Sequence, residues 1–226
     1  SSSAGPIFHE VGVMPVTMVL EGPATETAVG QPAVFTARLS ATSGVPDGSV
    51  VFNVDGTDIT VPLAGGVASI SRDDLARGSH TVSVIYPGNL RFQPAGPEEV
   101  SHIVGRSGVT LTLSSSPAAS APGDMVTFTA TATASFSPAA PEGNIVFNID
   151  GIQYPVAMNA GVASVSMDDL GLGPHSISAF YAGDTDFTPA YAEPIMHEVG
   201  KLAVSLDLSV PADATTLGET ATFTAT

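Results

Sequence analysis

Cysteine is absent from all 226 residues. A disulfide framework, a structural Cys–zinc site and thiol catalysis are therefore excluded together. The compartment stays open, because a cysteine-free chain suits cytosol and oxidising exterior alike. Tryptophan is absent too, which removes the commonest platform for stacking a sugar, although Tyr154, Tyr181 and Tyr191 are among the four tyrosines that remain. Positive charge is scarce: six Lys and Arg face 22 Asp and Glu, for a net charge of −16. Nucleic-acid binding needs clustered Lys and Arg to displace counterions, and anionic lipid headgroups would repel such a chain, so neither partner is expected. The acidity reads as solubility and resistance to self-association. No apolar run approaches the roughly 18 residues of a membrane span, so no membrane insertion is expected in this segment. No signal peptide opens the chain, and the repeats described next imply that residue 1 is not the natural start.

What is present points to strands. Hydrophobic residues make up 43% of the chain at a mean hydropathy of +0.30, enough for packed cores. The 23 glycines and 18 prolines call for many turns and short elements. Apolar runs rich in Val, Ile, Thr and Phe suit a pleated, half-buried surface. The expected fold class is all-β.

Whole phrases recur. GSVVFNVDG (Gly48–Gly56) returns as GNIVFNIDG (Gly143–Gly151), and GVASISRDDLARGSHTVSVIY (Gly66–Tyr86) returns as GVASVSMDDLGLGPHSISAFY (Gly161–Tyr181). Gly30, Gly123 and Gly218 each precede a run carrying Phe35, Phe128 or Phe223, and a closing phrase ending in Val-Gly appears at Pro6–Gly12, Glu99–Gly105 and Pro194–Gly200. The chain thus divides into the last strand of one repeat (1–12), two complete repeats (13–105 and 106–200) and the first two strands of another (201–226). A two-stranded piece is at best marginally stable alone, so a window on a longer tandem array is expected. The alternative is that neighbouring chains supply the missing strands by β-augmentation.

Within a repeat the alternation is clean. Val126, Phe128, Ala130 and Ala132 face one way and Thr127, Thr129, Thr131 and Thr133 the other. Ile145, Phe147 and Ile149 point inward, as do His175, Ile177, Ala179 and Tyr181 on a later strand. Asp55-Gly56 and Asp150-Gly151 are dipeptides that tolerate the positive φ of a tight hairpin. About seven short strands in about 95 residues predict tandem two-sheet antiparallel sandwiches.

On these residues the repeats resemble the bacterial Ig-like domain repeats of surface and secreted proteins. The likeness rests on Gly123–Thr133, Gly143–Gly151 and Gly161–Pro189. It covers essentially the whole chain, with a departure at Asn89 and Arg91, where the second repeat has Asp184 and Asp186. The resemblance implies spacers, stalk segments and adhesin modules, and fixes a fold more firmly than a ligand.

Nothing in the sequence assembles a catalytic set. His9, His102 and His197 share one position in the repeat and His80 and His175 another, 22 residues before it, without HxxxH or HExxH spacing. They are expected to be structural or solvent-facing, with a pH-sensitive contact between modules as the alternative. Asp73-Asp74 and Asp168-Asp169 are expected to cap the turns into Leu75 and Leu170. Asp184 and Asp186 have the spacing of a calcium loop but lack its other oxygens. No serine sits in a nucleophile elbow. No enzyme activity is expected, and no catalytic, cofactor-binding or metal-binding residue is assigned.

The joints are short: Gly105–Gly108 between the complete repeats, Gly200 and Lys201 after the second. Neither is a flexible coil, so closely coupled modules are expected, each adding roughly 35–45 Å. The leading expectation is a structural repeat segment of an extracellular or cell-surface protein, forming a semi-rigid stalk or filament. Its partners would be neighbouring repeats, with lateral self-association through outer strands and their Thr and Ser hydroxyls. The alternative is an adhesin module that recognises a host protein or glycan through loops at the sandwich ends, such as the loop carrying Phe136.

Overall fold

The computed structural model describes residues 12–201, 206–209, 216–218, 220 and 222–225. Apart from Gly12, the strand expected over 1–12 lies outside the described residues. No helix occurs among those described.

The first module has two sheets. One orders β1 (Val16–Glu21), β3 (Ala33–Ala41) and β6 (Val67–Arg72). The other runs β2 (Thr27–Ala28), β8 (Ala95–Gly105), β7 (Gly78–Tyr86), β4 (Ser49–Val54) and β5 (Thr57–Pro62). The second module repeats the plan. β9 (Val109–Ser116), β11 (Val126–Ala134) and β14 (Val162–Met167) form its smaller sheet. The larger holds β10 (Ala119–Ser120), β17 (Ile195–Val199), β15 (Gly173–Tyr181), β12 (Asn144–Ile149) and β13 (Ile152–Ala157), with β16 (Ala190–Tyr191) on β15. Strand pairs are antiparallel except β2 with β8 and β10 with β17.

Alternation decides which face is buried. On β11, Val126, Phe128, Ala130 and Ala132 are buried while the threonines between them are not, and Ile145, Phe147 and Ile149 of β12 are buried likewise. The two modules bury separate apolar clusters, centred on Phe35, Phe52, Tyr86 and Phe92 in one and on Phe128, Phe147, Tyr181 and Phe187 in the other. Each such fully buried side chain contributes about 1.5–3 kcal/mol. The outward hydroxyls pair inside their own sheet: Thr127 with Ser166 at 2.8 Å, Thr129 with Ser164 at 3.0 Å, Thr36 with Ser69 at 2.9 Å. At these positions the hydroxyls expected to bond laterally are already partnered.

The Asp-Gly hairpins form as expected. Asp55 and Gly56 have φ of 50° and 90°, Asp150 and Gly151 of 50° and 89°, the signature of a turn that matches strand twist. Asn53 and Asn148 accept the Gly56 and Gly151 N–H groups at 2.9 Å.

After the second module, β18 (Leu208–Ser209) pairs with β19 (Thr224–Ala225), Leu208 opposite Ala225. The first two long strands of each module set Leu20 opposite Ala37 and Leu113 opposite Ala130. The same register occurs three times.

Candidate functional site

The turn after β4 carries Asp55 to His80 on β7. Asp55 Oδ2 lies 2.5 Å from His80 Nδ1, Asp55 Oδ1 accepts the Thr81 N–H at 2.9 Å, and His80 Nε2 lies 2.7 Å from the Ala76 carbonyl. The second module repeats the arrangement with Asp150, His175, Ser176 and Gly171 at 2.6, 2.9 and 2.8 Å. A carboxylate and a carbonyl only accept, so both ring nitrogens donate and the imidazole is held in its charged form. Burial pulls the His80 pKa down, but the Asp55 and Ala76 bonds outweigh it and leave it raised. For His175 the Asp150 bond is the largest influence, and the pKa is again raised. Asp55 and Asp150 are held below the usual carboxylate range, chiefly by these histidines. With Nε2 spent on a backbone carbonyl, no ring nitrogen is free to take a proton from a nucleophile. The arrangement is a clamp between turn and strand.

His102 stands opposite His80 across the strand pair, and His197 opposite His175. Both are buried. His102 Nε2 lies 2.8 Å from Thr27 Oγ1 and its ring meets Phe35 edge-on, with centroids 5.6 Å apart. His197 matches it with Ser120 at 2.9 Å and Phe128 at 5.7 Å. Burial, assisted by the neighbouring charged histidine, pushes both below the ordinary value. The 22-residue spacing thus sets a charged and a neutral imidazole side by side. His9 lies outside the described residues.

The other sequence candidates find ordinary structural partners. Asp74 takes two guanidinium N–H groups of Arg72, at 2.7 and 2.9 Å. It closes an ion pair where a turn cap was expected, and Met167 in Arg72's place leaves the second module without that pair. Asp184 Oδ1 accepts the Asp186 and Phe187 N–H groups at 2.8 and 2.9 Å, and Oδ2 accepts the Tyr181 hydroxyl at 2.8 Å. Burial and that carboxylate raise the Tyr181 pKa. Burial also pushes Asp184 up, but the Tyr181 hydroxyl and the backbone N–H groups prevail and hold it low. In the first module Asn89 does the same work, accepting the Arg91 and Phe92 N–H groups at 2.8 and 3.0 Å. Among the described residues no three His, Asp or Glu side chains form a metal-sized group. Of the four tyrosines, Tyr86 and Tyr181 are buried, Tyr154 packs against the core and Tyr191 is exposed.

The joint is tighter than the four residues read from sequence. The Gly105 carbonyl still accepts the Val29 N–H at 3.0 Å, inside the first module. Ser107 already belongs to the second: its N–H donates to Asp186 at 2.8 Å and its carbonyl accepts the Thr188 N–H at 3.0 Å. Arg106 alone lies between. The base of the first module meets loops of the second. A Cβ at Gly30, where φ is +81°, would stand 2.5 Å from Ser137 Cα and 2.9 Å from the Phe136 carbonyl carbon. Glycine is required there twice over, by its conformation and by the approach of the other backbone. Arg77 Nη1 donates to the Thr185 carbonyl at 3.0 Å. The Phe136 loop, a candidate binding loop in the sequence, is thus part of the joint.

A family model described as a bacterial Ig-like domain (group 3) matches residues 20–105 and again 112–200. No curated protein matches the chain. Among solved structures it is similar to the fibronectin(III)-like modules of CbhA from Clostridium thermocellum, at 17% identity over 82% of this chain and 94% of that one, with a TM-score of 0.33. It is similar also to a Ca2+-stabilised adhesin that helps an Antarctic bacterium bind ice (17% identity, 90% of this chain, 52% of that one, TM-score 0.35). A third is the adhesin InvE of Yersinia pseudotuberculosis (20% identity, 86% and 66% of the two chains, TM-score 0.34).

Proposed function

Because the chain belongs to the bacterial Ig-like domain family (group 3), we propose that it is a structural repeat segment of a long extracellular or cell-surface protein, working as a semi-rigid stalk. The observation that carries this reading is the joint. One residue separates the last bond of the first module from the first bond of the second, and Gly30 and Arg77 seat the base of one module on the Phe136 and Thr185 loops of the next. A connection without slack passes orientation from module to module, so reach grows with copy number. Exposed Val45 and Leu90 lie in the first module's corresponding loops, where the base of a preceding repeat would sit. The repeated register of Leu208 with Ala225 supports a following repeat over 201–226. The partners in this reading are the neighbouring repeats, and the outermost strands β5 and β13 are the edges through which stalks would associate laterally into filaments.

No helix among the described residues is long and apolar enough to cross a membrane. The adhesin alternative, recognition through sandwich-end loops, is less favoured because two of the second module's loops, at Ser137 and Thr185, meet its neighbour. No enzymatic role is proposed, since the clamp leaves its histidine no free nitrogen. Small-angle scattering on the whole chain tests the stalk: two modules end to end, with the maximum dimension little changed by salt, is the expected result. Modules folded back side by side would refute it. Four Gly/Ser residues inserted after Arg106 should broaden the distance distribution.

A further inference from the structure

The outward face of the second module's larger sheet departs from that of the first in several places at once. Phe180 and Tyr191 are cross-strand partners whose rings stack, centroids 4.6 Å apart at 28°, and Tyr191 is 76% exposed. The first module has Ile85 and Gly96 there. Beside the rings, Asn148 and Gln153 are cross-strand partners on β12 and β13. At the matching pair in the first module the Asn53 amide donates to Asp58 at 2.6 Å, which closes that face. In the second module the Asn148 carbonyl oxygen serves the turn, and its amide N–H groups have no aspartate opposite. Pro194, in the place of Glu99, brings no N–H to the strand ladder, and Ala192–Pro194 separates β16 from β17 where β8 is continuous. The result is a groove of ≈ 520 Å³ lined by Phe180, Tyr191, Asn148, Gln153, Ser178 and Glu193.

We propose that this groove binds a neutral saccharide. A flat, exposed ring offers an apolar surface to the C–H face of a sugar. The Asn and Gln amides and the Ser178 hydroxyl each offer donors and acceptors that match vicinal hydroxyl groups. Glu193 and the net charge of −16 oppose sialylated or sulfated sugars. The volume falls in the range of small-ligand sites. None of the residues lining the groove takes part in the joint contacts, so modules strung end to end leave it open. It stands or falls separately from the stalk reading.

The test presents the full chain to an array of neutral and acidic oligosaccharides, followed by saturation-transfer NMR with lactose, maltose and cellobiose. Neutral sugars should bind, with shift changes centred on β12, β15 and β16. Binding should fall roughly tenfold or more in Tyr191→Ala, as for truncation of a central aromatic contact. Gln153→Asp, which recreates the first module's closing pair, should weaken it as well. Both substitutions are on the exposed face and should leave the melting temperature near that of the parent. No transfer from any of the three neutral sugars, a preference for acidic glycans, unchanged binding in both variants, or shifts confined to other strands would each overturn the proposal. So would self-association in sedimentation that Tyr191→Ala abolishes, since the platform would then be a contact between copies.

Discussion

Set side by side, the two modules agree in what holds a sandwich together and differ in what it shows to the outside. Phe35 and Phe128, Phe52 and Phe147, Tyr86 and Tyr181 occupy matching core positions, and the Asp–His clamp makes the same three contacts in both. The differences lie on the flank, where Ile85 and Gly96 become Phe180 and Tyr191, at the strand end where Arg72 becomes Met167, and in the turn where Gly65 becomes Ala160. Duplication has kept the frame and varied the surface, so features present in only one copy are the places to look for individual roles.

The largest effect should come from the shared core. Phe52→Ala and Phe147→Ala should each cost about 3–5 kcal/mol, a large part of a domain's usual stability. Calorimetry should then show one transition displaced and the other in place, because the cores have no residue in common. A common shift of both transitions would mean that the modules unfold as one unit.

Next is the clamp. His80→Gln or His175→Gln should cost about 1 kcal/mol, a charge-assisted bond discounted for a half-exposed carboxylate. His80 and His175 have raised pKa values, so their contribution is full below about 6.5 and is lost as pH rises through the raised values. Asp55 and Asp150 have lowered values, so their contribution is present above about 3.9 and is lost as pH falls through the lowered ones. His102 and His197 have lowered values, so stability drops as pH falls below about 6.5 and the unfolded chain takes up protons. Stability should therefore peak near pH 6.5, to within about a unit, in urea titrations. Each clamp variant should flatten the alkaline limb. The copies should also differ: burial is the strongest influence on His80 and opposes its charge, with Arg72 adding to it, whereas the Asp150 bond is the strongest on His175, with Glu198 adding support, so NMR titration should find His175 the more basic.

The smallest effect tests the second hairpin of each module. Ala160 holds φ of 49° where Gly65 holds 61°. Ala160→Gly should stabilise the second module and Gly65→Ala destabilise the first, each by about 0.5–1 kcal/mol in denaturant midpoints.

The strands and their inward faces were legible in sequence because a period of two needs no partner to be seen: Phe128 and Phe147 are buried where alternation puts them. The Asp-Gly turns were legible because few residues accept their backbone angles. The clamp was not, because Asp55 meets His80 only once β4 pairs with β7. Its one available signal was the 25-residue interval between Asp and His, present in both copies. The role of the Phe136 loop was out of reach for the same reason, since its neighbour Gly30 is more than a hundred positions away. In sequence Tyr191 is one tyrosine among four, and only the register with Phe180 makes it a platform.

The two parallel pairs carry a mechanical consequence. β2 near the start of its module lies alongside β8 at the end, in the same direction, as β10 does with β17. Tension along the polypeptide draws such neighbours past one another, so Val29 N–H to Gly105 and Gly200 N–H to Ser120 are loaded at the same moment instead of peeling apart in turn. His102 with Thr27, and His197 with Ser120, cross that same seam as buried rivets. Pulled from its two ends, a module would open only once that seam had broken, and the strands between would bear no load before it did.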